Sequence, residues 1–342
     1  MDLRFLQDVI QEMAELEIRD GSGWVFLEIA MQTDSSVLRD SVLAQPISHL
    51  FLLVGIVMAA ILLLVTVLVL YASIRYRHSV ANELPRQEFG RTWLEILWTA
   101  GPIVILVFIF AATIQAMKDS DPGFDPNRQP DLVIVAHQWW WEARYTDTHV
   151  IAANEIHVPV GKRLFVRLES ADVIHDWWVP QLGRKMDAIP GHPNFLWIEA
   201  DSPGLYSGTC AEYCGAEHAW MRIGVIAEAE PAFEQWSRHQ LEEPSQPPPG
   251  GDAARGDELF QQMTCGNCHT IAGTLAQGKI GPDLTHVGGR STLAAGRFRN
   301  TPANLARWLA DPQAIKPGSH MPNFQLTDSQ VQQLTSYLET LQ

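Results

Sequence analysis

Two runs without a charged residue, Ile47 to Tyr71 and Trp98 to Met117, restrict what this chain can fold into more than any other feature. Each is near the roughly 20 residues that cross hydrocarbon. In hydrocarbon a backbone satisfies its own polar groups only as a helix or a closed barrel. The runs therefore predict a transmembrane helical hairpin over residues 47–117. Arginine sets its direction. The connector Ser73 to Thr92 has four Arg against two Glu, whereas residues 1–47 have three Arg against nine acids. Arginine-rich loops stay in the cytoplasm, so both termini are predicted outside, in a two-pass protein of a bacterial inner (cell) membrane with its remaining domains on the periplasmic side.

Residues 1–46 form an acidic extension on that outer side. Met1 to Leu16 is interrupted by acids and lacks the apolar centre of a signal peptide. Phe5, Val9, Met13 and Leu16 recur at helical spacing and predict a short amphipathic helix.

Beyond residue 117 the pattern changes to short β-prone runs. Leu132 to Ala136, Glu155 to Val160, Arg163 to Glu169, Phe195 to Ala200 and Ile223 to Glu228 are rich in Val, Ile and Leu and separated by turn residues. They predict an all-β Greek-key sandwich over 118–240. Leu241 to Gly251 contains Glu-Glu-Pro-Ser-Gln-Pro-Pro-Pro-Gly-Gly and reads as a linker. Extended as polyproline at about 3.1 Å per residue, it would reach on the order of 34 Å and tether a last domain, 252–342. That domain reads as all-α. Thr301-Pro302 starts a helix, Thr327 and Gln330 have capping-box spacing, and Val331, Leu334, Leu338 and Leu341 form one apolar stripe.

All four cysteines fall into two metal-binding spacings. Cys265-Gly-Asn-Cys268-His269 is the c-type haem attachment pattern, with His269 as proximal ligand. Gly281-Pro282-Asp283-Leu284 follows it, and Met321 comes some way downstream in His320-Met321-Pro322. In this order the segment resembles class I c-type cytochromes. A His269/Met321 axial pair favours electron transfer over oxygen binding; His320 and His286 are rival sixth ligands.

The other pair, Cys210 and Cys214, is followed by His218 and Met221 in one loop. A single blue-copper ion needs one thiolate. Two at this spacing can bridge two copper ions, and one further histidine is then required.

Glu169-Ser-Ala-Asp172-Val-Ile-His175-Asp-Trp-Trp-Val-Pro180, Asp187-Ala-Ile-Pro190-Gly191, Gln138-Trp139-Trp140-Trp141, Leu94 to Thr99 and the Cys210 to Met221 loop resemble subunit II of haem-copper cytochrome c oxidases. The likeness covers about residues 45–240 and implies a cupredoxin-like sandwich. It implies that His175, Cys210, Cys214, His218 and Met221 hold the dinuclear copper centre CuA, with the Glu212 carbonyl as a weak contact. By the same likeness the Glu212 side chain would reach a Mg or Mn ion shared with subunit I. Trp139 would be where electrons enter, or a packing residue; Glu95 would mark a possible proton-path entrance, or an interfacial acid. His137, His157 and His192 fall outside the ligand positions.

The fused cytochrome domain corresponds to the caa3-type branch, and the extension before Ile47 has no obvious counterpart. The expected function is electron input to a proton-translocating terminal cytochrome c oxidase, from haem c to CuA to an oxygen-reducing site in subunit I. Other oxidase subunits, and a soluble cytochrome c or another respiratory complex as donor, are the expected partners. A CuA-containing nitric oxide reductase subunit and a non-catalytic membrane-anchored shuttle are the alternatives.

Overall fold

Helix formation in the hairpin extends past the apolar runs because main-chain hydrogen bonding, unlike lipid solubility, tolerates polar residues. The computed structural model describes residues 41–77, 90–121, 123 and 127–342, and places helix α1 at Gln45–Arg75 and α2 at Thr92–Ser120. Pro46 stands in the first turn of α1, where its missing N–H costs nothing. Glu95 in the first turn of α2 and Lys118 in its last turn complement the helix dipole. Most side chains on both helices are exposed in the isolated chain, as lipid contact requires. The predicted helix around Phe5 to Leu16, and Glu83, Arg86 and Glu88 of the connector, lie outside the described residues.

The second unit begins with a sandwich of two five-stranded sheets. One has the order β3 (Ile151–Ala153), β2 (Trp140–Tyr145), β1 (Leu132–His137), β5 (Leu164–Ser170), β8 (Asn194–Ile198). The other has the order β4 (Glu155–Pro159), β10 (Arg222–Glu228), β9 (Gly204–Cys210), β6 (His175–Trp178), β7 (Met186–Ala188). β1 runs parallel to β5 and β4 parallel to β10; the other pairs are antiparallel. Between the sheets Trp141 and Trp177 pack edge to face at 5.5 Å, among Ile134, Val166, Leu168 and Val225.

All five predicted strands are present. Three of the other five escaped the pattern for physical reasons. β3 and β7 are three residues long, too short to show alternation. β9 carries Gly204 and Gly208, which have no side chain to report a face. Helix α3, Glu230–His239, was also unforeseen; its Trp236 stacks on His157 at 4.2 Å, and His157 Nδ1 lies 2.9 Å from Glu228.

Leu241 to Gly251 contains neither helix nor strand. The last domain comprises α4 (Asp252–Gln262), α5 (Cys265–Cys268), α6 (Pro302–Ala310), α7 (Pro312–Ile315) and α8 (Asp328–Leu338), plus a two-residue hairpin of β11 (Thr292–Leu293) and β12 (Phe298–Arg299). The Thr301 hydroxyl accepts from Asn304 N, and Thr327 and Gln330 complete the predicted capping box. Val331, Leu334, Leu338 and Leu341 are buried with Phe260, Leu305 and Leu309. α4 crosses α8 at Gly256, where a Cβ would strike the Gln333 carbonyl.

The domain does not hang free on its tether. Ala295 is buried against Trp140 and Ala153 of the sandwich, and Arg222 N donates to Ala295 O at 3.2 Å.

Candidate metal centre and haem cavity

Strand pairing builds the copper-type site. Cys210 ends β9, and pairing of β9 with β6 sets it opposite Trp177, two residues from His175. The loop from Ala211 to Met221 then folds back over the same point. His175, Cys210 and Cys214 present ligand atoms within 4.8 Å of one another, all buried. Cys210 Sγ lies 3.8 Å from His175 Nδ1, 3.8 Å from Cys214 Sγ and 3.2 Å from the Glu212 carbonyl. Cys214 Sγ lies 3.6 Å from His218 Nδ1 and 3.9 Å from Met221 Sδ.

A further shell orients these groups. Asp172 Oδ1 meets His175 Nε2 at 2.8 Å, which leaves Nδ1 turned to the sulfur. Burial acts to lower the His175 pKa, but the Asp172 carboxylate and Cys210 outweigh it and the net shift is upward. The Cys210 and Cys214 sulfurs interact at 3.8 Å, and this contact, with that to His175, carries the Cys210 pKa well below the ordinary thiol range. Two soft sulfurs, two imidazoles and a thioether in a dry pocket are a donor set that suits copper. The β6–β7 register sets Asp187 opposite Asp176, whose pKa is raised to about 7 by burial and by Asp187 beside it.

Trp139 is attached directly to this loop. Its Nε1 donates to Cys214 O at 3.0 Å, and Gln138 Nε2 donates to the same oxygen at 2.7 Å. Gly215 makes room for the ring: its φ is +118°, and a Cβ there would lie 2.9 Å from Trp139 Cζ2. Trp139 is only 8% exposed: it belongs to the sandwich core and also meets His320, with ring centroids 5.1 Å apart.

A cavity of about 420 Å³ lies next to that contact, lined by Cys265, Cys268, His269 and Met321 together with Trp139 and Trp140. α5 places both cysteines on one helical turn. His269 Nδ1 is bonded to Pro282 O at 2.8 Å, which fixes the ring and leaves Nε2 available as an iron ligand. Burial lowers the His269 pKa and favours the neutral, ligating form. Gly281 permits this packing, since a Cβ would come 2.5 Å from the imidazole. Gln313 Nε2 holds the methionine loop by donating to Ser319 O and Met321 O, each at 2.8 Å. The residues thus fit a covalently attached haem, which Cys265 and Cys268 would anchor and for which His269 and Met321 line the same cavity.

Of the rival ligands, His286 is directed elsewhere, its Nδ1 2.5 Å from Gln342 O. His320 lies on Trp139. Glu212 is exposed, with Oε1 accepting from Tyr213 N, and joins no cluster of metal-ligating side chains among the described residues. Glu95 is an exposed first-turn residue of α2. His137 stacks on Trp140 at 4.2 Å, and His192 is exposed. Sequence reasoning passed over Gly215 and Gln313 and named Gly281 only as part of a motif; the roles of all three depend on folded geometry.

The chain is similar to known proteins over most of its length. Residues 27–115 match the family described as cytochrome C oxidase subunit II, transmembrane domain; 149–228 match the periplasmic domain of the same subunit; 253–342 match cytochrome c. Cytochrome c oxidase subunit 2 of Alkalihalophilus pseudofirmus is 35% identical over 296 residues, 84% of this chain and 84% of that protein. The subunit of Bacillus sp. (strain PS3) is 31% identical over 284 residues, 78% and 79% of the two chains. The crystal structure of the periplasmic domain of subunit II from Bradyrhizobium japonicum shares 33% identity, covers 33% of this chain and 95% of its own, and has a TM-score of 0.32.

Proposed function

This chain belongs to the cytochrome c oxidase subunit II family, and from that premise we propose that it receives electrons for its oxidase on haem c and passes them to a CuA centre, which feeds the oxygen-reducing site of subunit I. It is a membrane-anchored subunit of a haem-copper oxidase with a cytochrome c domain. The finer assignments are these. Cys265 and Cys268 would anchor the haem, and His269 and Met321 would ligate its iron. His175, Cys210, Cys214, His218 and Met221 hold the copper pair, with the Glu212 carbonyl beside it. Bound there, the two groups supply reversible one-electron chemistry.

One observation carries the reading: Trp139 touches both sites, through Cys214 O on one side and His320 of the haem-type cavity on the other. Trp139 is the residue through which electrons enter the copper loop, and in this chain the donor standing on it is the chain's own cytochrome domain. A soluble cytochrome c or another respiratory complex then docks on that domain. The Glu212 side chain is assigned to a Mg or Mn ion shared with subunit I, Glu95 to a proton-path entrance, and both outer domains to the periplasmic side.

The test is truncation after Gln240 in the assembled oxidase. Copper should remain, and turnover should return only with added cytochrome c or an artificial reductant. Full turnover with the native donor would contradict the assignment.

A further inference from the structure

Two charged residues, one from each outer domain, are buried where the domains meet, and neither belongs to a metal site. Glu155 lies on β4 and is 9% exposed. Its carboxylate accepts from Ser291 N at 2.9 Å, Thr292 N at 2.7 Å and Thr292 Oγ1 at 2.7 Å. Bonds to a carboxylate are short and directional, and three of them on adjacent donors admit one orientation of the hairpin that opens at Thr292. Glu155 is itself set by the parallel pairing that places it opposite Gly224 on β10, the strand that leaves the copper loop. This point of attachment is therefore rigidly connected to the Cys210 to Met221 loop.

Lys316 supplies the second point, from the other domain. It is 4% exposed, with Nζ 3.3 Å from Trp139 O and 3.4 Å from Ala294 O. Lysine is almost never buried so deeply without partners. Burial also pushes its pKa down to about 8. An ammonium that is costly to bury adds little strength, so what the contact supplies is register. The charges around it are complementary across the boundary. Glu217 of the copper loop, 2% exposed, faces Lys316 and Arg297 electrostatically, and Arg297 lies 3.8 Å over the Trp220 ring. Lys316 also starts the segment that Gln313 holds and that ends in His320 and Met321. The loop that faces the haem cavity is thus fastened to the main chain of Trp139.

We propose that Glu155 and Lys316 are positioning residues for interdomain electron transfer: they hold the haem-carrying domain in one register, with His320 against Trp139. The inference rests on the reading of the two redox sites given above. It replaces a domain swinging on its proline-rich linker with a seated one. Electron transfer between the sites then needs no domain search.

The experiment uses the intact oxidase complex and the variants Glu155→Ala, Lys316→Met and Lys316→Arg. Hydrogen exchange at Ser291 and Thr292 should accelerate about tenfold or more in Glu155→Ala, since two amides lose a charged acceptor. After flash reduction of haem c, transfer to copper should be independent of solvent viscosity in the wild type. In Lys316→Met it should slow on the order of tenfold and become viscosity-dependent, because misplacement by an ångström is costly to a positioned reaction. Lys316→Arg, which keeps the donors, should restore much of the rate. Haem and copper spectra should stay at wild-type form in all three. Unchanged exchange in Glu155→Ala, or viscosity-independent transfer at the wild-type rate in Lys316→Met, would overturn the proposal. A wild-type complex lacking either spectrum would instead overturn the assignment of the sites, and this proposal with it.

Discussion

Trp139 donates its indole N–H to the main-chain oxygen of Cys214 at 3.0 Å, so the residue between the two sites is bonded to the backbone of a copper-type ligand rather than merely packed near it. Trp139→Phe keeps most of the ring but not the donor. Gln138 still serves the same carbonyl, so the stability cost should be small, about 1 kcal/mol. Trp139→Ala leaves a void in the sandwich core and should cost about 3–5 kcal/mol. Chemical denaturation measures both. Flash reduction of haem c should show slower copper reduction in Trp139→Phe with the copper spectrum unchanged.

The copper loop makes a sharper claim, because two cysteine sulfurs, an imidazole beside each and a thioether are more donors than one blue-copper ion uses. Paramagnetic resonance of the copper-loaded chain should show one electron shared over two nuclei. Cys214→Ser should abolish that signal. Met221→Leu should keep it and shift the reduction potential, since an axial thioether tunes a site more than it holds it. A single-copper spectrum in the unaltered chain would exclude the pair.

Much of this was legible in the sequence. Metal ligation uses uncommon residue types at fixed spacing, so Cys210, Cys214, His218 and Met221, and Cys265, Cys268 and His269, stood out before any fold was known. His175 and Trp139 needed the family likeness, because nothing local separates them from other histidines and tryptophans. Glu155 and Lys316 were invisible for a deeper reason. As sequence, each is an ordinary charged residue, and only the docked surface removes it from water. Gly215 was hidden likewise among 24 glycines, and Gly281, though named in its motif, gave no sign of its role, since what marks both is a ring that arrives from another part of the chain.

Those glycines give a direct prediction. In Gly281→Ala the new methyl meets the His269 imidazole. The axial bond should weaken and the haem spectrum change even though Cys265 and Cys268 remain. Gly215→Ala combines a positive φ with contact on Trp139 and should cost about 1–3 kcal/mol. Thermal denaturation checks the second; absorbance of the haem bands checks the first.

Acid should loosen the sandwich through His137. Burial lowers its pKa, while Glu142 and Asp172 oppose the shift and Arg144 and His175 add to it. The unfolded chain therefore binds the proton more readily. Stability from this group is intact above about pH 6.5 and falls as pH drops from there through the lower folded value. Denaturant midpoints recorded across that range should decline in the wild type and decline less in His137→Phe, which can keep the stack on Trp140.

The most direct measurement follows one electron inside the intact oxidase. After flash reduction of haem c without added donor, haem reoxidation and copper reduction should proceed together as one first-order process whose rate does not change with protein concentration. If haem c stays reduced while the copper centre accepts electrons only from an added cytochrome, the account of this chain as its own electron donor is wrong.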